Sequence, residues 1–362
     1  MLKANFKKIT VFFILLILLL ITIYKSITPF LTTTSASKDI KKLSTQVFAM
    51  DTVMSITIYN SNEEILNLCK ERILELENLF SVTDMNSEIS TLNTNKELTP
   101  SKDTSLLIKK AIEISNETNG ALDISIYPVL KAWGFTTGNY NVLNSNEIND
   151  LLNTVDYTKI NFDENKITIP NNMELDLGSV AKGYTSSEII KILKENNVKS
   201  ALINLGGNVH TLGSKLDNTP WKVAVKSPTN NSNILSINVI DKAVITSGAY
   251  ERYFTDDLGN VYGHIIDPKT GKPTESDLLS VTIIGDDSVL CDALSTSLFV
   301  LGLDKAIDFY KTHNNFEAVF ITKDNQLYIT EGIKDDITLL EGYSDICPNI
   351  INRWKNQKFG YL

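Results

Sequence analysis

The chain has 362 residues, 43% hydrophobic and 21% charged, with a formal net charge of -9. That composition is ordinary for a folded protein large enough to bury a sizeable core, and it excludes a disordered chain, a collagen and a multi-span membrane protein. The acidic balance gives no general attraction for nucleic acid, so a phosphorylated ligand would need a local offset from a metal ion, a helix N-terminus or a well-placed lysine.

Residues 9–24, ITVFFILLILLLITIY, form an almost unbroken apolar run behind Lys3, Lys7 and Lys8. At ~1.5 Å per residue the run reaches roughly 24 Å, and residues 27–31 can extend it across a ~30 Å hydrocarbon core. The positive flank predicts a cytoplasmic N-terminus and an outward-facing body, so residues 1–31 read as a membrane anchor. Cleavage as a signal peptide is the alternative, with small residues at Thr34, Ser35, Ala36 and Ser37. No cysteine ends the apolar run, which excludes a lipoprotein anchor. Residues 32–45 are rich in Ser, Thr and Lys and read as a linker to a body at 46–335.

The β-branched stretch 53–59 predicts a strand. Ser61 and Glu64 suggest a capping box, and Ile65, Leu68, Cys69, Leu76 and Leu79 follow at helical spacing. A second helix is expected over 103–118, ended by Gly120. Helices are also expected at 145–153, 180–196, 290–301 and 304–312. Strands are expected at 201–204, 221–225, 234–240, 279–285, 317–322 and 326–330. Residues 336–362 read as a polar-aromatic tail. The elements interleave without regular βαβ order, which predicts an α+β fold. Cys69, Cys291 and Cys347, like the three histidines, are too scattered for a disulfide scaffold, a zinc site or a His-based metal centre.

Several segments carry residues suited to chemistry. On a helix, Asp292, Ser295 and Thr296 point off one face, and a carboxylate beside a hydroxyl makes a hard-oxygen half-site of the kind Mg²⁺ accepts. A helix N-cap at Asp292 is the alternative. Residues 174–184, ELDLGSVAKGY, suggest a strand, a tight turn and a helix whose N-terminus can meet an anion, with Lys182 adding charge and Asp176 a hydrogen bond to a base or ribose. On these residues alone an ordinary strand-to-helix turn with a solvated lysine is the stronger reading. The sequence Asn204-Leu-Gly206-Gly207-Asn208 marks a turn or a close backbone approach to a ligand. Asp123, in Gly120-Ala-Leu-Asp123, is expected on an apolar strand, where it either contacts a ligand or caps the strand end. His264 stands three residues before Asp267 and is either an acid–base group or a structural histidine.

These segments, in this order, resemble a known family. Ala49-Met50-Asp51-Thr52, Phe80-Ser81 through Asn93, Gly120 to Asp123 through Trp133-Gly-Phe135, Asp176-Leu-Gly178 through Tyr184, Asn204 to Gly207, Thr246-Ser247-Gly248, His264 through Pro273, Ser280-Val281-Thr282 and Asp292 to Thr296 are similar to the blocks of FAD:protein FMN transferases, the ApbE family. The resemblance runs from about Phe48 to about Thr330. It implies an ApbE-like, T-fold-like arrangement of mixed sheets with packed helices. It implies Mg²⁺-dependent transfer of FMN from FAD to a threonine hydroxyl of a target protein, with AMP released. FAD hydrolysis to FMN and AMP is the competing activity.

The resemblance further implies Mg²⁺ held by Asp292, Thr296, Ser295 and the carbonyl of Ser179. It implies FAD contacts from Met50, Thr83, Ala121, Leu122, Asp123, Asp176, Lys182 and Ile266. His264 matches the position expected for proton transfer or for orienting the acceptor hydroxyl. The acceptor implied is an exported or membrane flavoprotein, such as a subunit of an ion-pumping NADH-linked complex. Three positions depart from the family pattern: Thr83 replaces a tyrosine expected to stack on a ring, Asp51 replaces a glycine, and Gly178-Ser179 replaces a glycine pair.

Overall fold

The computed structural model describes residues 41–354 except 164 and 231, together with 17, 19, 21 and 22. The expected anchor or signal in residues 1–31 otherwise lies outside the described residues, as do residues 32–40 of the expected linker and 355–362 of the tail. Among the described residues no helix is long and apolar enough to cross a membrane.

In chain order the body contains β1 (Lys42–Ala49), β2 (Thr52–Tyr59), α1 (Glu63–Phe80), α2 (Glu88–Asn95), β3 (Glu97–Leu98), α3 (Lys102–Glu117), α4 (Tyr127–Trp133), α5 (Ser145–Leu152), β4 (Asn161–Asp163), β5 (Lys166–Thr168) and α6 (Ala181–Glu195). Then follow β6 (Ala201–Leu205), β7 (Asn208–Leu212), β8 (Trp221–Lys226), β9 (Asn233–Val239), β10 (Ala243–Gly248), β11 (Tyr253–Thr255), β12 (Val261–Gly263), β13 (Ile266–Asp267), β14 (Lys272–Pro273) and β15 (Leu278–Gly285). The helices α7 (Ser288–Leu301) and α8 (Leu303–Thr312) precede β16 (Phe316–Thr322), β17 (Leu327–Thr330), β18 (Ile337–Leu339) and β19 (Asn349–Ile351). This is the α+β content expected from the sequence.

A nine-stranded sheet, in the order β1-β2-β6-β7-β10-β15-β16-β17-β19, organises the body. Its strands are two-faced. Ala243 and Ile245 of β10, with Val281 and Ile283 of β15, join Leu294, Leu298 and Phe299 of α7 in one apolar cluster. Val244 and Ile284, which point the other way, pack with Val223, Leu235 and Ile237 of the small β18-β9-β8 sheet. The period of two along each strand therefore puts helices on one face and a second sheet on the other. At the β1 end, Ile56 and Ile58 of β2 and Ile203 of β6 bury against Ile65, Cys69 and Ile73 of α1 and Ile189 and Leu193 of α6. α7 is buried along most of its length, so only its polar positions can open toward a ligand.

Two expectations change at the ends of the body. Residues 42–45, read as linker, are the start of β1, whose alternating exposure marks a half-covered edge strand. Residues 337–339 and 349–351, read as tail, are strands: β18 pairs with β9, and β19 pairs parallel with β17. Inside the body, residues 121–125 form no strand. They bend, and Ile126 makes an isolated bridge with Glu174. The segment before α6 is likewise a bridge and a turn rather than a full strand. The N-cap of α7 is Asp287, which accepts from Val289 N and Leu290 N. Asp292 therefore sits in the helix's second turn, and the capping alternative for it falls away.

Candidate active site

A cavity of about 450 Å³ is walled by the β1–β2 turn, the loop around Asp123, the start of α6, α7 and both roots of the β11–β12 ribbon. Asp292, 3% exposed, lies on the α7 wall with Thr296 one turn further on. The backbone N–H of Gly183 donates to Asp292 Oδ2 at 2.8 Å, and Asn208 Nδ2 donates to Oδ1 at 2.8 Å. The first contact depends on glycine: a Cβ at position 183 would lie 2.3 Å from Ser288 O. Close packing of α6 on α7 thus aims a helix N-terminal N–H at a buried carboxylate. Burial pushes the Asp292 carboxyl above its usual range, while Lys182, Asn208 and Gly183 pull it back.

Thr296 and Ser247 share a hydroxyl contact at 3.3 Å, and Ser247 Oγ lies 2.7 Å from Ser295 Oγ. Ser295 donates to the carbonyl of Asp292 at 2.8 Å and is fully buried. Its hydroxyl is turned into the α7–β10 contact, so it supports Thr296 and is absent from the cavity wall. Ser179 and Lys182, at the turn into α6, are on the wall. Lys182 acts through space on Asp292, Asp176 and His264.

Asp292 and Thr296, with Ser179 on the same wall, are the groups here that could hold a hard cation. Asp292 is a carboxylate in a low-dielectric site, held by two neutral N–H donors, and such a charge is costly without a cation beside it. Among the described residues no group of three His, Cys, Asp or Glu side chains could hold a metal. One carboxylate and one hydroxyl, with the Ser179 backbone at the same wall, are a partial oxygen set of the kind Mg²⁺ would complete with water and phosphate oxygens, and they do not suit zinc.

Asp176 holds its loop through a hydrogen bond from Gly178 N, and burial raises its pKa against the opposing pull of Arg252 and Lys182. Asp123 accepts from Ser125 N at 2.8 Å, Ser125 Oγ at 2.6 Å and Tyr157 N at 3.1 Å. Those bonds fix the loop that presents Ala121, Leu122 and Asp123 to the cavity. Met50 and Asp51 form the β1–β2 turn with φ of 49° and 58°. Both are left-handed, as a tight hairpin turn demands, and neither is glycine, so the turn is strained. Glu77 Oε1 accepts from Met50 N at 2.7 Å and holds it there.

His264 lines the same cavity at the foot of β12. Its Nδ1 is 3.0 Å from the carbonyl of Arg252. A carbonyl only accepts, so Nδ1 carries the proton and Nε2 presents a lone pair. Burial lowers the imidazole pKa to about 4, with the charges of Arg252 and Lys182 acting in the same direction. His264 is therefore neutral near pH 7, the state a proton acceptor needs.

The cavity gathers Met50, Ala121, Leu122, Asp123, Asp176, Ser179, Lys182, His264, Ile266, Asp292 and Thr296 from positions spread across the sequence. Thr83 is not among its lining residues. Its short side chain and backbone N–H turn to Ser81 Oγ, both at 3.2 Å. Phe135 supplies an aromatic ring to the wall instead. Sequence reasoning assigned no role to Asn208, which holds Asp292, or to Arg252, whose guanidinium donates to Phe135 O at 3.1 Å. The polar blocks around both were visible, but nothing local tied either one to the site.

The ApbE family profile matches residues 50–320. The chain is 31% identical over 289 residues to the FAD:protein FMN transferase of Klebsiella pneumoniae (strain 342), covering 78% of this chain and 89% of that protein. It is 30% identical over 305 residues to the FAD:protein FMN transferase of Treponema pallidum (strain Nichols), covering 78% and 83%. The fold is similar to the crystal structure of the ApbE protein from Thermotoga maritima MSB8, with a TM-score of 0.76 at 32% identity over 82% of this chain and 99% of that one. It is also similar to the apo form of the Pseudomonas stutzeri flavinyl transferase ApbE, with a TM-score of 0.72 at 25% identity over 80% and 93%. With the family profile spanning most of the body and relatives aligned over most of their length, this chain belongs to the ApbE family.

Proposed function

We propose that this chain is an FAD:protein FMN transferase, which passes the FMN half of FAD to a threonine hydroxyl of a partner protein and releases AMP. The observation that supports it is the placement of a neutral histidine, two cations and oxygen donors around the buried Asp292 carboxylate at one cavity. A pyrophosphate transfer needs each of these. The acceptor hydroxyl must lose its proton, charge on the phosphoryl oxygens must be offset, and attacking and leaving oxygens must be held in line.

Lys182 and Arg252 provide positive charge for the phosphates, and Asp176 and the Asp123 loop provide polar contacts to the rest of FAD. Asp292, Thr296 and the Ser179 carbonyl would hold Mg²⁺. When bound, Mg²⁺ would supply Lewis-acid stabilisation of the phosphoryl oxygens. His264 Nε2 takes the proton of the acceptor hydroxyl as its oxygen bonds to the FMN phosphorus and the bond from that phosphorus to the AMP oxygen breaks. The His264 pKa of about 4 belongs to the free protein. Bound phosphates offset Arg252 and Lys182, which raises His264 basicity when a base is required.

The apolar run at 9–24 supports a body held at the outer face of the membrane, where an exported flavoprotein would be its partner. Protease accessibility of the body in intact cells tests that placement, and protection would overturn it.

The test of the activity is the full-length chain incubated with FAD, Mg²⁺ and a purified acceptor domain carrying the family's threonine motif. An acceptor mass gain of one FMN, with an equal amount of AMP and loss of both on adding EDTA, is expected. Release of FMN and AMP with no acceptor gain would replace the transferase reading with FAD hydrolysis.

A further inference from the structure

Two of the hairpins that contribute to the cavity wall carry exposed apolar side chains immediately beyond the residues that line it. In the first, Met50, Asp51 and Thr52 line the cavity, and the cross-strand partners Phe48 and Val53 are 69% and 58% exposed. In the second, Arg252 and His264 line the cavity at the two roots of the β11–β12 ribbon.

The ribbon is two-faced. Phe254 and Tyr262 turn inward, stack on each other with centroids 5.0 Å apart, and pack with Trp133. Tyr253 and Val261 alternate with them, and are 53% and 64% exposed; Leu258 at the tip is 87% exposed. Aromatic and β-branched side chains left in solvent on two hairpins that reach into one cavity mark an interaction surface better than scattered exposed residues do.

We infer that these two apolar rims, Phe48 with Val53 and Tyr253 with Val261 and Leu258, are the docking surface for the folded acceptor protein. The inference rests on the transferase reading, because that reaction alone obliges a protein to come to this cavity. The acceptor's hydroxyl must reach His264, and His264 is the root of the ribbon. A protein seated on the ribbon therefore touches a strand that ends at the proton acceptor. The ribbon's roots are tied together, since the Arg252 carbonyl accepts from both His264 N and His264 Nδ1, each at 3.0 Å. None of the five side chains lines the cavity where FAD is proposed to bind. Docking and FAD binding are thus separable by substitution.

The experiment compares the full-length chain with two double variants, Tyr253→Thr with Val261→Thr and Phe48→Thr with Val53→Thr. Threonine keeps strand preference while removing apolar area. The probe acceptor is a purified soluble domain bearing the target threonine, with FAD and Mg²⁺ held saturating. Each variant is expected to raise the acceptor KM about tenfold, as loss of central apolar contacts does at protein interfaces. FAD affinity and acceptor-saturated kcat are expected to stay within twofold of the parent, which also shows that the variants fold. Acceptor KM within twofold of the parent for both variants overturns the inference while leaving the transferase reading intact. A fall in FAD affinity that accounts for the whole loss also overturns it. If the parent chain itself fails to modify the acceptor, the transferase reading fails first and the docking surface with it.

Discussion

The α7 wall of the cavity and the β11–β12 ribbon are built in opposite ways. Asp292 is embedded between helix and sheet, with one oxygen held by a strand residue and the other by the N-terminal turn of α6. His264 stands at the foot of a two-stranded ribbon that is solvent-exposed along one face, and its ring is held through the Arg252 carbonyl. The wall proposed to face the phosphates is thus fixed by close packing, while the histidine proposed to meet the acceptor stands at the rim. A cation and a pyrophosphate need a rigid site of defined geometry, whereas a protein substrate needs access.

The largest expected effect is at the packed wall. Asp292→Ala removes the sole carboxylate of the oxygen set and is expected to lower flavinylation by about 10³-fold or more, in line with loss of a charge-stabilising group in phosphoryl transfer. Rates at saturating FAD across a Mg²⁺ series check it, and normal turnover at ordinary Mg²⁺ would remove Asp292 from the cation site.

At the rim, His264→Ala is expected to lower kcat by about 10²–10⁴-fold while FAD affinity is unchanged, as loss of a general base does. The wild-type pH profile sharpens this. A base with a pKa of about 4 is mostly deprotonated above that pH, so titration of His264 alone would put the acid limb of kcat/KM with respect to FAD near pH 4. Bound phosphates raise the same pKa, so the acid limb of kcat should lie at higher pH than that of kcat/KM. Coincident limbs would mean that Arg252 and Lys182 add little to the burial that lowers the His264 pKa.

A smaller effect separates holding from ligating. Asn208→Ala leaves Asp292 in place but removes the donor to Oδ1. It is expected to raise the Mg²⁺ concentration for half-activity about 10- to 100-fold, as loss of an outer partner of a metal ligand does. An unchanged Mg²⁺ requirement would make the Asn208 contact incidental. The smallest effect concerns the strained turn. Asp51→Gly is expected to stabilise the body by about 1 kcal/mol, since glycine adopts the left-handed conformation without a Cβ clash. Thermal unfolding measures it, and lower stability would contradict the strain.

What the sequence revealed of this site follows from distance along the chain. Asp292 and Thr296 share a helix face, so local periodicity placed them together before any contact was known. His264 and Lys182 stood in compact motifs. The hydrogen bonds that orient Asp292 join residues 84 and 109 positions apart, through a strand pairing and a helix contact that no local pattern encodes. The fold was legible where periodicity was strong, as in α1, α6 and β15. It was not legible in β1, whose KLSTQVFA alternates exposed and half-covered residues and whose first half, 42–45, reads as linker. In β10, AVITSG, the polar residues that turn toward α7 and the cavity obscured a strand in the middle of the sheet.

The division between the two walls is tested most directly by one binding measurement. FAD affinity is titrated with and without Mg²⁺ for the parent, Asp292→Asn and His264→Ala chains. The account predicts that the parent and His264→Ala gain the same affinity from Mg²⁺ and that Asp292→Asn gains none. A Mg²⁺ gain retained in Asp292→Asn, or lost in His264→Ala, would contradict it.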